Sequence, residues 1–254
     1  MKVLCSSASI RWFISTFEGI KDHKLISMNF QTKAEEILGR NLKPSEGIEI
    51  SQIQAQEKIL NTRIPAELSS FYTTLGNSEL FTDGFQHFAK IEELLIKDNK
   101  LVFLEENQSV VYWAVDLDDH KTIYQTTDQD FEEQVIWSKE EFELEKFLEM
   151  MLYFQCVMAD ESFHQQSKSG FVHYLSLDNE VYDLNTNTKD FIDNLGENFK
   201  EVVNGNGLSI YWNTDSIITY FLDSEGNIND MVFACTKNEK FSIQLIEDYE
   251  FNEF

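Results

Sequence analysis

The sequence predicts an α+β fold: helices packed on a mixed or antiparallel sheet, with a C-terminal antiparallel β-rich extension. Three observations predict it. Leu68, Phe71, Tyr72 and Leu75 recur at i, i+3, i+4 and i+7, a single helical stripe. Leu101–Leu104 and Val110–Val115 are runs of β-branched and aromatic residues, and Glu105–Ser109 between them has hairpin length. Leu208–Trp212, Ser216–Leu222 and Ile228–Cys235 read as an antiparallel meander turned by Ser224–Asn227.

The remaining elements follow in order. Thr32–Glu35 reads as a capping box opening a short helix that stops at Gly39, and Lys43–Gly47 as a turn. Ser51–Gln54 is a second capping box, for a helix to about Leu60. Pro65 suits a first helical turn, where its missing N–H has no partner to lose, and Gly76-Asn77 ends that helix. A short helix is expected over Phe88–Leu95 with Ile91, Leu94 and Leu95 inward, and a third strand over Thr122–Tyr124. Ser138–Glu141 is a third capping box, for a helix to about Met158. Leu144, Leu148, Met151, Leu152 and Gln155 make its inner face, with Phe147 and Phe154 beside it, and five Glu cover the rest.

Gln165–Gly170 reads as a linker. Phe171–Leu177 and Glu180–Leu184 then form a hairpin around Asp178-Asn179. A helix is expected from Lys189 to Val203, stopped by Asn204–Gly207. For Phe241–Tyr249 periodicity does not separate strand from helix. The organisation is residues 1–50 as an N-terminal extension, 51–160 as an α+β domain, and 165–254 as a β-rich region packed on it.

Composition bounds the function. The 254 residues include 45 Asp+Glu against 20 Lys+Arg, a formal net charge of -25. Hydrophobic residues are 42%, enough for a core, so an acidic disordered tail is excluded. Such a charge repels phosphate backbones and anionic membranes, and it points to solubility or to a basic protein partner. The charge is uneven. Residues 1–64 carry 9 Lys+Arg against 7 Asp+Glu; residues 65–160 carry 6 against 21; residues 161–254 carry 5 against 17.

The three Cys (Cys5, Cys156, Cys235) are odd in number and too widely spaced for a disulfide framework or a zinc site. Cys156 and Cys235 sit in apolar runs and read as buried thiols. Met1–Ile10 is too short and polar for a signal segment, and no run approaches a membrane span, so a cytoplasmic protein is expected.

Catalytic motifs are missing: no phosphate loop, no dinucleotide fingerprint, no His-Glu-x-x-His and no Gly-x-Ser-x-Gly. An enzyme is not expected, nor a cofactor or metal. His120 follows Asp118 and Asp119 and reads as an exposed loop residue. His164 and His173, nine residues apart, read as two surface imidazoles. Asp223–Asn227 resembles a calcium loop only faintly and reads as a hairpin turn. Trp113 and Trp137 read as core aromatics.

The order of features over 51–158 resembles the SUKH superfamily, whose founder is a yeast cell-wall synthesis regulator. The residues that carry the likeness are Ile64–Asn77, Leu101–Trp113 with its Glu106-Asn107-Gln108, Ile136-Trp137, and the helix bearing Phe147-Leu148. The resemblance implies an α+β fold and, for most bacterial members, an immunity protein that neutralises a toxin delivered between competing cells. Many such toxins are nucleases and basic. The alternative it implies is a regulatory scaffold binding endogenous proteins. No site residue is inherited by motif. Asn107 and Gln108 suit a strand-connecting loop whose side chains bond nearby backbone. Asp116, Asp118, Asp119, Asp128, Asp130, Glu132 and Glu133 have no core role evident in the sequence and form an expected acidic rim for a cationic toxin. Tyr124 and Phe131 are either apolar anchors of that rim or core residues.

Overall fold

The computed structural model describes residues 29–128, 131, 135–177 and 186–253. The expectations for Cys5 and the N-terminus, for the strand at 180–184 and the turn before it, and for Asp130, Glu132 and Glu133 lie outside the described residues.

The chain begins with α1 (Phe30–Leu38), α2 (Ile50–Leu60), α3 (Ala66–Leu75) and α4 (Glu79–Asp83). Then come β1 (His87–Phe88), β2 (Leu95–Lys97), β3 (Lys100–Glu105), β4 (Tyr112–Asp116), β5 (Thr122–Thr126) and β6 (Ser138–Glu143). They form an antiparallel sheet in the order β1-β3-β4-β5-β6, with β2 also on β3. Next are α5 (Leu144–Met158), α6 (Glu161–Ser167), β7 (Val172–Leu177), α7 (Thr186–Asp193) and α8 (Leu195–Asn198). The chain closes with β8 (Lys200–Gly205), β9 (Leu208–Asn213), β10 (Ser216–Leu222), β11 (Ile228–Thr236), α9 (Glu239–Glu247) and β12 (Asn252–Glu253). The second antiparallel sheet runs β12-β7-β11-β10-β9-β8. The α+β expectation holds, and both sheets are antiparallel.

Helix α5 lies between the two sheets. Phe147 meets Phe103 and Trp113 of the first sheet at 6.0 and 6.1 Å between ring centroids. Tyr153 meets Trp212 at 5.8 Å, and Phe154 meets Phe221 at 6.1 Å, in the second. Every residue from Met150 to Val157 is buried. The expected one-faced helix is therefore buried all round over its second half, because the second sheet covers the side assigned to solvent. One core contains residues of α1, α3, α5, the inner face of the first sheet and one face of the second. The other face of the second sheet, with Ile218, Tyr220, Val232 and Ala234, packs on Phe191 of α7 and Leu245 of α9. A sheet covered on both faces needs apolar residues at consecutive positions, which explains the Ile217–Leu222 run, interrupted by buried Thr219, whose Oγ1 donates to Ser209 O at 3.0 Å.

Several boundaries differ from expectation. The cap of α1 is Asn29, whose Oδ1 accepts from Thr32 N at 3.1 Å, so Thr32 is already helical. Gly39 does end α1, at φ 67. Helix α2 begins at Ile50 behind Glu49 with no side-chain cap, so Ser51 lies inside it. Phe88–Leu95 is not a helix but β1, a single 3-10 turn at Ile91–Glu93 and the start of β2, and Leu95 is exposed. The turn is set by Lys90, whose extended backbone breaks any helical run.

Ser138–Glu141 does not cap α5. It is β6, with Ser138 opposite Gln125 and Lys139 opposite Tyr124. Cross-strand pairing overrides the local capping signal, and α5 starts at Leu144, whose N–H donates to Lys121 O at 2.8 Å. Gln165–Gly170 is not a linker: its first half ends α6, and Lys168 closes that helix at φ 58. The helix expected over Lys189–Val203 ends at Asn198, and Val203 is a buried strand residue, because β8 completes the sheet edge beside β9. Phe241–Tyr249 is mainly helix α9, capped by Asn238 Oδ1.

Gln155, fully buried in α5, is the polar centre of the first core. Its Oε1 accepts from Phe85 N and Gln86 N at 2.9 and 2.8 Å, and its Nε2 donates to Phe81 O and Gln86 O at 3.3 and 2.6 Å. Gly84 lets α4 come this close, since a Cβ there would sit 3.3 Å from both Gln155 O and Ala159 Cβ. The Gln155→Leu variant strands four backbone groups. It should lose about 3–5 kcal/mol in chemical denaturation, since each unsatisfied buried group costs roughly 1–3 kcal/mol. A loss below about 1 kcal/mol would show that the connection re-forms without the amide.

Glu140 points inward from β6 and accepts from Trp113 Nε1 at 2.8 Å. Burial pushes its carboxyl up to about 7, against the Trp113 hydrogen bond, with Glu141 adding to the rise. The unfolded chain releases this proton first, so the group costs stability as pH climbs from about 4.5 to about 7, and the cost is complete above that. Glu140→Gln should therefore stabilise the protein by about 1–3 kcal/mol at pH 8 and by nothing at pH 4. The check is thermal or urea unfolding at both pH values, and a gain equal at both would contradict the assignment.

Candidate interaction face

The outer face of the first sheet is the side turned away from α5. Trp113, Val115 and Ile123 point into the core. The pleat therefore sends Tyr112, Ala114, Asp116, Thr122, Tyr124 and Thr126 outward. Lys100 lies opposite Asp116, and Leu95, Val102, Ala114 and Tyr124 form one row across the strands. Ala114 and Val102 are nevertheless buried, at 0% and 6% exposed, and Phe131 and Trp137 form a flap on this face. Phe131 packs edge-on to Tyr112 at 5.1 Å and lies 6.3 Å from Trp137. Val135 is buried with them.

Lys100 anchors this flap. Its Nζ lies 4.6 Å from the Tyr124 ring centre and 5.8 Å from that of Trp137. It also donates to Asp98 O at 3.3 Å and sits 3.9 Å from Asp116 Oδ2. Trp137 Nε1 closes the ring of contacts on Asp98 Oδ2 at 3.1 Å. A half-desolvated cation–π contact of this kind contributes roughly 1 kcal/mol. Trp137 is thus half-buried on the outer face rather than in the core, a correction to its expected place.

The acidic residues divide by role. Asp116 is paired with Lys100, and its Oδ1 accepts from Asp118 N at 2.8 Å. Asp119 Oδ1 accepts from Lys121 N and Thr122 N, and Oδ2 from Thr122 Oγ1 at 2.6 Å. Slight desolvation opposes the charge on Asp119, but these bonds outweigh it and hold the carboxyl below its ordinary range. Both residues therefore build the β4–β5 turn, with His120 in the left-handed region at φ 61, and are not idle surface acid. Asp118 is exposed. Asp128 is half-buried and follows the other end of β5, about 13 Å of strand away from the turn. Among the described carboxylates, Asp116, Asp118 and Asp119 lie at the β4–β5 turn and Asp128 follows the other end of β5.

The sequence reading missed a different feature: Ile136 is 81% exposed, the most exposed of the large apolar side chains among the described residues, and Leu95 is 41% exposed. Tyr124 and Phe131, expected as anchors or core, are both half-buried, Tyr124 under the Lys100 ammonium and Phe131 against Tyr112. Periodicity gives no hint of the Ile136 exposure, because Val135-Ile136-Trp137 is only a short apolar triplet.

The expectation for Asn107 and Gln108 also changes. Their backbone N–H groups donate to Gln86 Oε1 and Glu106 Oε2, both at 2.8 Å, so Gln86 and Glu106 supply the loop's side-chain acceptors. His164 and His173 are 2% and 5% exposed, a correction to two surface imidazoles; the packing of α6 on the second sheet encloses them. Asp223 does make a hairpin turn, with Oδ1 accepting from Glu225 N and Asn227 N.

Two concavities lie among the described residues. One, of about 610 Å³, is lined by Gln54, Glu57, Lys58, Asn61, Thr62 and Arg63. The other, of about 300 Å³, lies where Arg40 and Glu46 face Phe163 and Ser167. Neither wall carries a His or Cys, and no three His, Cys, Asp or Glu side chains among the described residues group as metal ligands. No helix among the described residues is long and apolar enough to cross a membrane.

Comparison with protein-family models, with curated proteins and with solved structures gave no match.

Proposed function

We propose that this chain is an immunity protein of the SUKH type, which neutralises a basic protein toxin by stoichiometric binding at the outer face of its first sheet. The observation that carries the reading is Ile136, 81% exposed on a flap fixed by Lys100, Tyr124 and Trp137. An exposed aliphatic side chain on a rigid support is what a binding hot spot requires. Asp118 and Asp128 lie at the two ends of β5, in a chain of net charge -25. A cationic surface is steered toward such a face, and the apolar centre holds it after contact. A toxin with a nucleic-acid groove has the matching charge.

Co-expression with the toxins encoded by the same genome tests this directly. One of them should be neutralised, and rescue from none would overturn the proposal. With that toxin, Ile136→Asp should raise the dissociation rate at least tenfold in surface plasmon resonance, with circular dichroism unchanged. Asp118→Asn should slow association and flatten its dependence on salt. Wild-type rates in both variants would place the interface on another surface.

A further inference from the structure

His164 of α6 and His173 of β7 meet inside the protein, with their Nε2 atoms 2.7 Å apart. His164 Nε2 also lies 3.0 Å from the Cys156 carbonyl, and its Nδ1 lies 2.6 Å from Ser169 Oγ. These contacts assign the protons. A carbonyl only accepts, so His164 Nε2 carries hydrogen and shares it between Cys156 O and His173 Nε2. The Ser169 hydroxyl then donates to His164 Nδ1. His173 Nε2 is a lone pair, and its proton sits on Nδ1. Both rings are neutral.

The groups around the pair come from four places. Asp160 caps the N-terminus of α6. Cys156 lies on α5, and Cys235 of β11 stands opposite His173 in the sheet register. Lys237 follows β11, its ammonium 4.4 Å from the Phe171 ring centre, and Phe171 packs edge-on to His164 at 5.8 Å. Burial, the largest influence, drives both imidazoles well below their ordinary range. Asp160 opposes that shift, while Lys237 reinforces it at His164, and each ring's charge would repel the other's. Burial raises both thiols, so neither supplies a negative charge.

We infer that this histidine pair is an acid-released latch, holding α6 and the turn at 168–171 against α5 and β7 while both rings are neutral. A first proton, on His164 Nδ1, is met by reversing the Ser169 hydroxyl, at the cost of burying a cation. A second has only His173 Nε2 to enter, the lone pair that already accepts from His164. It sets two N–H groups head to head and places a second cation beside the first. The opened segment has neither constraint and takes both protons at the ordinary imidazole pKa of about 6.5. Opening is therefore favoured up to tenfold per pH unit for each ring, about a hundredfold for both, from about pH 6.5 downward. Release of α6 also frees Arg40, whose Nε donates to Ser167 O at 3.0 Å, and so removes one wall of the smaller concavity.

Hydrogen exchange of the full chain between pH 7.5 and 4.5, corrected for intrinsic rates, tests the latch. Amides of 161–173 should lose protection by up to a hundredfold per pH unit below about pH 6.5, while β3 and β4 keep theirs. His173→Gln should cut that slope to tenfold or less. Equal pH dependence in both regions would overturn the latch. So would ring-nitrogen NMR of the unaltered protein showing both imidazoles titrating near pH 6.5, a measurement that needs no variant to fold.

Discussion

Leu144–Met158 must satisfy two sheets at once, and most of the architecture follows from that. A helix buried on every side has no room for an unpaired polar group, yet α5 carries Gln155 at its centre. The amide is tolerated because all four of its bonding directions are used, on the connection from α4 to β1. That connection places β1 on β3, and hence the first sheet against the helix. On the opposite side Tyr153 and Phe154 fix the second sheet through Trp212 and Phe221. Lys146 adds a direct tie, donating to Val202 O at 2.7 Å. Asn206 and Glu141 join the sheet edges by a reciprocal pair of bonds, at 2.7 and 3.1 Å. Far along the chain, Lys237 donates to Ile37 O at the end of α1, so the last third of the sequence is bonded to the first described helix.

The sequence made some of this legible and hid the rest for physical reasons. The Leu68–Leu75 stripe, the β3–β4 hairpin and the β9–β11 meander were readable, because each pattern is set by one dominant partner. Ser138–Glu141 misled because capping boxes are local signals, whereas pairing with β5 is not visible in the segment itself. The α5 surface misled for a related reason: Met150, Tyr153 and Val157 are apolar on the side assigned to solvent, and only the second sheet explains them. In the candidate face, Asp116 and Asp119 looked idle because turn-building carboxylates resemble surface acid in sequence. Ile136 looked like core because exposure cannot be read from an apolar triplet.

The charge acquires a division of labour. Asp116 is spent on Lys100, Asp119 on the β4–β5 turn, and Glu140 is buried. Only a fraction of the acid is available to a partner, and Asp118 is the clearest example. The histidine pair lies on the other side of α5, among α6 and the second sheet.

The account stands on α5 binding the two sheets into one cooperative unit. Trp113 lies in the first sheet and Trp212 in the second, each within ring contact of α5. Urea titration followed by fluorine NMR of 5-fluorotryptophan at these two positions reads both sheets in one sample. A single shared midpoint with the same slope is the predicted result. Two separated midpoints, with one sheet surviving the loss of the other, would contradict it.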